Sequence, residues 1–448
     1  MQTTKKGADD LENISQTRSQ NLYDHLWSTL ALGDAFDSVF KNRGSAGIDG
    51  VDVKTFRDNL GDELAKLSKE LKDWSYKPAP VRRVRIPKPD GGERLLGVPC
   101  VRDRVVQTAL KDLLEPIFDP KFSDSSFGFR PNRNQRQAVE RAQGHVKSGK
   151  SWIVDIDLSK FFDRINHDRL IHLLRKQITD TRILRLVGMF LRSGAMEHGL
   201  VSPSTEGSPQ GGPLSPLLSN IVLDELDKEL EKRGQKFVRY ADDCNIFVGS
   251  EKAAERVMGS IGKFIENKLK LKINHDKSKV GPSQEIKFLG MTIASDGSRA
   301  ISKASMKRAM AKSVSLVPRG THLPIEQSML KINQWYVGWS NYYKMTEYPA
   351  QLSSIEAHIR RRLRARFVRQ QKRRRSLLKK LVKRGVSKSL AARTVYTNRS
   401  AWALSHTKGV ERAYPNDWFK DQLGFKTMSD RVGIEKEWKE LKVWIRLP

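Results

Sequence analysis

The run Phe-Val-Arg-Tyr-Ala-Asp-Asp-Cys-Asn-Ile-Phe-Val at 237–248 leaves the backbone little choice. Two β-prone segments flank an acidic pair, too close together for anything but a tight hairpin. Asp242 and Asp243 suit that turn for conformational reasons alone, because short acidic side chains favour turns. Taken alone, the pair is a turn. A second acidic pair changes its meaning. Asp155 and Asp157 stand at i and i+2 in the apolar run Ile-Val-Asp-Ile-Asp-Leu at 153–158, so they share one face of a strand.

Carboxylates from two neighbouring strands would form a cluster of oxygen donors. Hard Mg²⁺ prefers such donors and is commonly completed by phosphates and water. A pair of ions roughly 3.5–4 Å apart activates an attacking hydroxyl and stabilises a leaving phosphate oxygen. The pattern therefore points to phosphoryl transfer by positioning and electrostatics, without a covalent intermediate.

The charge balance agrees. Across 448 residues, 82 Lys and Arg face 51 Asp and Glu, a net +31. Such an excess fits a polyanionic partner, since each neutralised phosphate releases a counterion. No stretch approaches the roughly 20 apolar residues of a membrane span, so no membrane partner is expected. The polar segment 1–20 lacks the apolar core of a secretory leader, which makes a cytoplasmic location the default. Cys100 and Cys244 are too few for a disulfide framework or a Cys-rich zinc site, and both sit among apolar neighbours.

Apolar spacing predicts helices over 21–42 and 55–73, separated by a turn at 47–52. A strand at 81–86, a turn at 87–92 and a return strand at 93–98 read as a hairpin. Helices follow over 101–118 and 133–148, then the 153–158 strand and a helix over 166–190. A Gly/Pro-rich loop at 208–216 leads into a helix ending near 233. Beyond the acidic hairpin come a helix over 251–270 and a strand pair around 288–290. From about 300 the pattern is basic and helical. The fold class is α+β for the first 300 residues and mainly α after them.

In order along the chain stand Ile86-Pro87-Lys88-Pro89-Asp90-Gly91-Gly92-Glu93-Arg94, Phe127-Gly128-Phe129-Arg130-Pro131 and Asp157-Leu158-Ser159-Lys160-Phe161-Phe162-Asp163. Ser208-Pro209-Gln210-Gly211-Gly212-Pro213-Leu214-Ser215-Pro216, Tyr240-Ala241-Asp242-Asp243 and Phe288-Leu289-Gly290 follow. This series resembles the bacterial group II intron reverse transcriptase/maturases. The resemblance implies a right-hand polymerase fold with fingers, palm and helical thumb, and RNA-directed DNA synthesis with dNTPs and two Mg²⁺ ions, for which Mn²⁺ can substitute.

It also implies residue roles. Asp157, Asp242 and Asp243 would be catalytic and hold the metals, with the Leu158 carbonyl as a further ligand. Asp157 is chosen over Asp155 because Phe162 then stands at the family's five-residue spacing, where the aromatic ring excludes a ribose 2′-hydroxyl. Asp155 is left a supporting or structural role. Lys88 and Arg94 would contact the triphosphate, Gln210 would lie against the nucleotide, and Lys277 would sit near the leaving phosphate. One departure stands out: Asn132-Arg133-Asn134 follows Pro131, where many relatives have Gly, Arg and Ser.

The segment 360–384 holds 14 Lys or Arg and no acid. By resemblance it belongs to the thumb or maturase domain that grips intron RNA. Arg360, Arg361, Arg362, Arg364, Arg373, Arg374 and Arg375, together with Arg130, are the expected nucleic-acid contacts. Trp335, Trp339, Tyr342 and Tyr343 recur at the spacing of one packed helix face, which competes with base stacking. Past 393, Asn398-Arg399-Ser400-Ala401-Trp402 resembles intron proteins without an endonuclease, and 432–448 matches no motif.

The expected domains are 1–80 (N-terminal extension and start of the fingers), 81–300 (fingers and palm), 301–375 (thumb/maturase domain) and 376–448 (basic nucleic-acid-binding region). Expected partners are intron RNA or another RNA template and a DNA target or primer; monomer and homodimer both stay open. A bacterial cytoplasmic protein would associate with the nucleoid when DNA-bound. Two rival readings remain: a domesticated reverse transcriptase in defence or DNA repair, and an RNA-binding splicing scaffold without polymerase activity.

Overall fold

The computed structural model describes residues 21–87, 92–197, 200–202, 206–207, 211–397 and 400–428. The chain divides into two compact units between Pro282 and Ser283. Each has its own apolar core.

In the first unit, two four-stranded sheets carry the sequence motifs. One has the order β2-β1-β4-β5. Strands β1 (Val81–Pro87) and β2 (Glu93–Val98) form the expected antiparallel hairpin, with Ile86 opposite Arg94. The expected turn residues 88–91 lie outside the described residues. The sheet continues through β4 (Ala195–Glu197), parallel to β1, and β5 (Leu200–Ser202). These two three-residue strands carry too little pattern to be read from sequence.

The second sheet has the order β6-β7-β3-β8 and is antiparallel throughout. Its strands are β3 (Trp152–Ile156), β6 (Lys236–Tyr240), β7 (Asp243–Val248) and β8 (Lys279–Pro282). Val154, Ile156 and Ile246 are wholly buried in the core shared with the surrounding helices. Truncating one such side chain costs about 2–5 kcal/mol, so the sheet that bears the acidic residues is held firmly.

Three long helices expected from periodicity are each broken at a short polar residue, which caps the next helix at Ser28 and Asp180 but not at Asn59. The 21–42 segment is two helices, Leu22–Leu26 and Thr29–Lys41, because Ser28 Oγ accepts from Ala31 N at 3.1 Å. The 55–73 segment breaks at Asn59 into Val53–Asp58 and Leu60–Lys72, and Asp52 caps the first. The 166–190 segment is His167–Arg175 and Thr181–Arg192, capped by Asn166 and Asp180. Apolar spacing runs straight through these breaks, and the side-chain competition that stops a helix leaves no mark on that spacing.

In the second unit the strand pair begins slightly later than expected, as β9 (Met291–Ile293) and β10 (Arg299–Ile301). Leu289 and Gly290 both have positive φ, and Phe288 and Met291 exchange backbone hydrogen bonds across them. The remainder is helical, as expected. On the helix Ile325–Tyr343, Tyr336 and Tyr343 are buried, while Trp335, Trp339 and Tyr342 are half-buried and packed ring against ring. Among the described residues no helix is long and apolar enough to cross a membrane. Residues 1–20, Asn398-Arg399 and 432–448 lie outside the described residues.

Candidate active site

Strands β6 and β7 are joined by a two-residue loop, Ala241-Asp242, with Tyr240 opposite Asp243. Ala241 has φ 58°, a left-handed conformation that costs about 1–2 kcal/mol for a residue with a Cβ. The register of β3 against β7 sets Ile156 opposite Cys244. Asp157, the next residue after β3, therefore emerges beside the acidic turn. Its backbone is fixed on the far side: Ser278 Oγ accepts from Asp157 N at 3.0 Å, and Asn274 N donates to Asp157 O at 2.9 Å.

The charges feel one another. The Asp242 carboxyl is exposed on one side but crowded by protein on the others. This desolvation is the main reason its pKa lies above the usual carboxylate range; the charge of Asp157 pushes the same way, while Arg94 and Arg239 oppose it. Arg94, on β2, thus brings the first sheet's hairpin into electrostatic range of the acidic turn. Asp155 sits one row further along the same face, opposite Asn245, whose amide donates to Asp155 Oδ1 at 3.0 Å and Asp243 Oδ1 at 3.3 Å.

Other expected site residues fall as follows. Leu158 is buried, so only its backbone is available to a ligand. After it the chain bends at Lys160 (φ 50°), which sends Phe161 into the core and leaves Phe162 half-buried, edge-on to Phe161. The backbone of Gly207 packs directly on Phe162 and Asp163. Gly211 is pressed against β2: a Cβ there would lie 2.6 Å from Gly97 O. Gly207 and Gly211 bracket Gln210, which, like Lys88, lies outside the described residues. Lys277 is exposed beside Ser278, on the loop that holds Asp157.

Arg130 is buried and bonded to Asp119, Ser123 O and Ser126 O, so it shapes its own loop. The unusual residues after it are conformational equivalents of the common ones. Asn132 takes a left-handed φ of 59°, which suits Gly or Asn, and Asn134 caps the helix Gln135–Lys147 as Ser would.

In the second unit, Arg362 is buried and donates to Val314 O and Val317 O, and Arg364 to Tyr414 O and Asn416. Arg360 is near Glu356, and Arg361 stacks on Trp402 at 4.1 Å. Arg373, Arg374 and Arg375 are exposed. Cys100 and Cys244 are free and buried.

Sequence reasoning missed Arg239, Asn220 and Asn245. Arg239 is wholly buried and paired with Asp227, and a charged residue in a strand ordinarily reads as exposed. Asn245 was open to the same i, i+2 argument that joined Asp155 to Asp157.

Among the described residues no three His, Cys, Asp or Glu side chains close on one point as ion ligands. The donor set nonetheless suits a hard cation. Asp157 and Asp242 repel each other as they stand, and a divalent ion is what relieves such repulsion. An acidic turn and a neighbouring strand end, with a basic hairpin within electrostatic range, suit a nucleic-acid polymerase of the palm type.

Comparison with known proteins agrees. The reverse transcriptase (RNA-dependent DNA polymerase) family profile matches residues 86–293, and the group II intron, maturase-specific domain matches residues 306–384. The chain is 33% identical over 289 residues to protein YkfC of Escherichia coli K12, covering 56% of this chain and 76% of YkfC. It is 31% identical over 382 residues to the group II intron-encoded protein LtrA of Lactococcus lactis subsp. cremoris, covering 68% of this chain and 63% of LtrA. The chain belongs to the group II intron reverse transcriptases: a metal-dependent, RNA-directed DNA polymerase of right-hand fold, joined to a maturase-specific domain and acting on nucleic acid.

Proposed function

We propose that this chain extends a DNA primer 3′-end along an RNA template, using dNTPs, at a site formed by Asp157, Asp242 and Asp243. The observation that carries the proposal is the β3–β7 register, which ends β3 beside the acidic turn so that the charges of Asp157 and Asp242 oppose each other, with Arg94 of the other sheet within electrostatic range. The three carboxylates, with the Leu158 carbonyl, would hold two Mg²⁺ ions, or Mn²⁺ in their place. Bound there, the ions would supply an activated 3′-hydroxyl and charge neutralisation at the leaving group.

The protein's own groups do the positioning. Arg94 and Lys88 offset the triphosphate charge from the β1–β2 hairpin. Gln210 lies against the nucleotide, and Phe162 crowds the sugar so that a 2′-hydroxyl is disfavoured. Lys277 faces the leaving phosphate. The primer oxygen bonds to the α-phosphorus, the bond to the β-phosphate oxygen breaks, and pyrophosphate leaves as the hydroxyl proton passes to solvent.

The second unit would bind intron RNA and so promote splicing and retrohoming. The match to a maturase-specific domain favours this over a domesticated reverse transcriptase, and the reverse transcriptase match over 86–293 disfavours a scaffold without polymerase activity. The exposed Arg373, Arg374 and Arg375 are the contacts that suit a phosphate backbone; Arg360 and Arg361 are the next candidates. A cytoplasmic, nucleoid-associated location accompanies this reading, with a homodimer as one option for assembly.

The test is primer extension on an RNA template with dNTPs and Mg²⁺, wild type against Asp242→Ala. Extension by the wild type alone supports the reading. Equal extension by both, or by neither, overturns it.

A further inference from the structure

A guanidinium with no access to water lies under the acidic turn. Arg239 is 0% exposed, as is its partner Asp227. Its Nε and Nη2 donate to the two carboxylate oxygens of Asp227 at 2.7 and 2.6 Å. That bidentate pair neutralises the charge and leaves Nη1 for other work. Nη1 has two acceptors, Asn220 Oδ1 and Ala241 O, both at 2.9 Å. Ala241 is the left-handed residue immediately before Asp242. A carbonyl held there fixes the peptide that aims the carboxylate.

The network extends to a second motif. Asn220 Nδ2 donates to Gly128 O at 2.9 Å. Gly128 lies so close to the turn that a Cβ on it would fall 2.2 Å from Ala241 N. Arg239 N donates to Ser125 O, and Phe127 N donates to Arg239 O, so the 125–128 segment is laced along β6 as well. Asp227 and Asn220 both belong to the buried face of the helix Ser215–Lys232.

Charge alone does not explain the arrangement. A buried ion pair is seldom more stabilising than apolar packing of the same volume. What it does supply is direction, because the planar fork fixes four acceptor atoms on three residues at once.

We propose that Arg239 is a positioning residue for polymerisation: it sets the acidic turn through Ala241 O, and Asn220 locks it to the Gly128 segment. The inference rests on the reading of Asp157, Asp242 and Asp243 as metal ligands. A turn that is less well fixed holds its carboxylates in a wider spread of positions, so it needs more metal to reach the active arrangement and turns over more slowly once there. Primer–template binding, which depends on a much larger surface, is little affected.

The experiment uses the full chain and three variants, Arg239→Lys, Asn220→Ala and Asp242→Asn. Primer extension is followed across a Mg²⁺ titration, with primer–template affinity by fluorescence anisotropy and folding by thermal melting. Arg239→Lys keeps the charge but loses the fork. Asn220→Ala leaves the Arg239–Asp227 pair whole and decides the matter if the lysine variant does not fold. The expected result is a Mg²⁺ requirement raised severalfold and turnover lowered about tenfold in the folded Arg239 and Asn220 variants, with primer–template affinity unchanged and Asp242→Asn inactive. An unchanged Mg²⁺ midpoint and turnover in Asn220→Ala, with Asp242→Asn inactive, overturns the positioning role. An active Asp242→Asn overturns instead the site reading on which it rests.

Discussion

The side-chain amide of Asn245 donates to Asp243 Oδ1 at 3.3 Å, and the same nitrogen reaches Asp155 Oδ1 at 3.0 Å. One buried amide thus joins a residue of the acidic turn to the neighbouring strand, where Asp155 stands opposite it. It neutralises no charge; it limits how the Asp243 carboxylate can rotate. Asn245→Ala is expected to lower turnover by about tenfold and to raise the Mg²⁺ concentration needed for half-maximal rate. Asp155→Asn, one row further from the turn, should do less. Kinetics across a Mg²⁺ titration check both; a larger effect from Asp155→Asn would contradict the order.

Phe162 tests the sugar pocket. Its ring is half-buried and braced by Phe161, and the backbone of Gly207 packs on the main chain of Phe162 and Asp163. Phe162→Ala should preserve dNTP incorporation while raising rNTP incorporation at least about tenfold, because the steric exclusion is gone. Single-nucleotide incorporation with matched dNTP and rNTP measures it. An unchanged ratio would place the ring in the core and nowhere else.

The arginines of the second unit separate into two kinds. Arg362 and Arg364 are buried donors to backbone carbonyls, whereas Arg373, Arg374 and Arg375 are exposed. Replacing the exposed three by Ala should reduce the salt dependence of RNA binding by about one unit of slope per lost phosphate contact. Arg362→Ala should instead lower thermal stability, by about 1–3 kcal/mol for its unsatisfied carbonyl partners, and leave the slope alone. Binding isotherms at several salt concentrations, with melting curves, distinguish the two.

Asp103 gives a pH dependence. It is buried on the helix Val101–Phe118, accepts from Tyr76 Oη at 2.5 Å and Ala79 N at 3.0 Å, and anchors the approach to β1. Burial pushes its carboxyl up from 3.8 to about 6. The folded state therefore binds its proton more tightly than the unfolded chain does. That contribution is complete below about pH 4 and is lost as pH rises through about 6, a change on the order of 3 kcal/mol. Urea unfolding at both ends of that window should show wild type losing stability relative to Asp103→Asn as pH rises. A relative gain would contradict the assignment.

Much of this was legible in the chain. The β1–β2 and β6–β7 hairpins follow from alternation and turn chemistry, and the i, i+2 placement of Asp155 and Asp157 from strand geometry alone. What escaped has physical causes. The helices of 21–42, 55–73 and 166–190 kept their apolar spacing through Ser28, Asn59 and Asp180, so periodicity overran the breaks there. Arg239 escaped because its partners Asp227 and Asn220 come from a helix that only the tertiary fold sets beside the strand. The resemblance picked out arginines by density, and density does not say which of them find carbonyls inside the protein.

The central claim is that Asp157, Asp242 and Asp243 form a metal site, and direct metal binding tests it most closely. Mn²⁺ can be titrated calorimetrically into the full chain bound to primer–template, with a terminated primer and the next dNTP present. Two ions bound by the wild type, and at least one fewer by Asp242→Asn with primer–template affinity intact, is the predicted result. The same number bound by both proteins, at the same affinity, would contradict it.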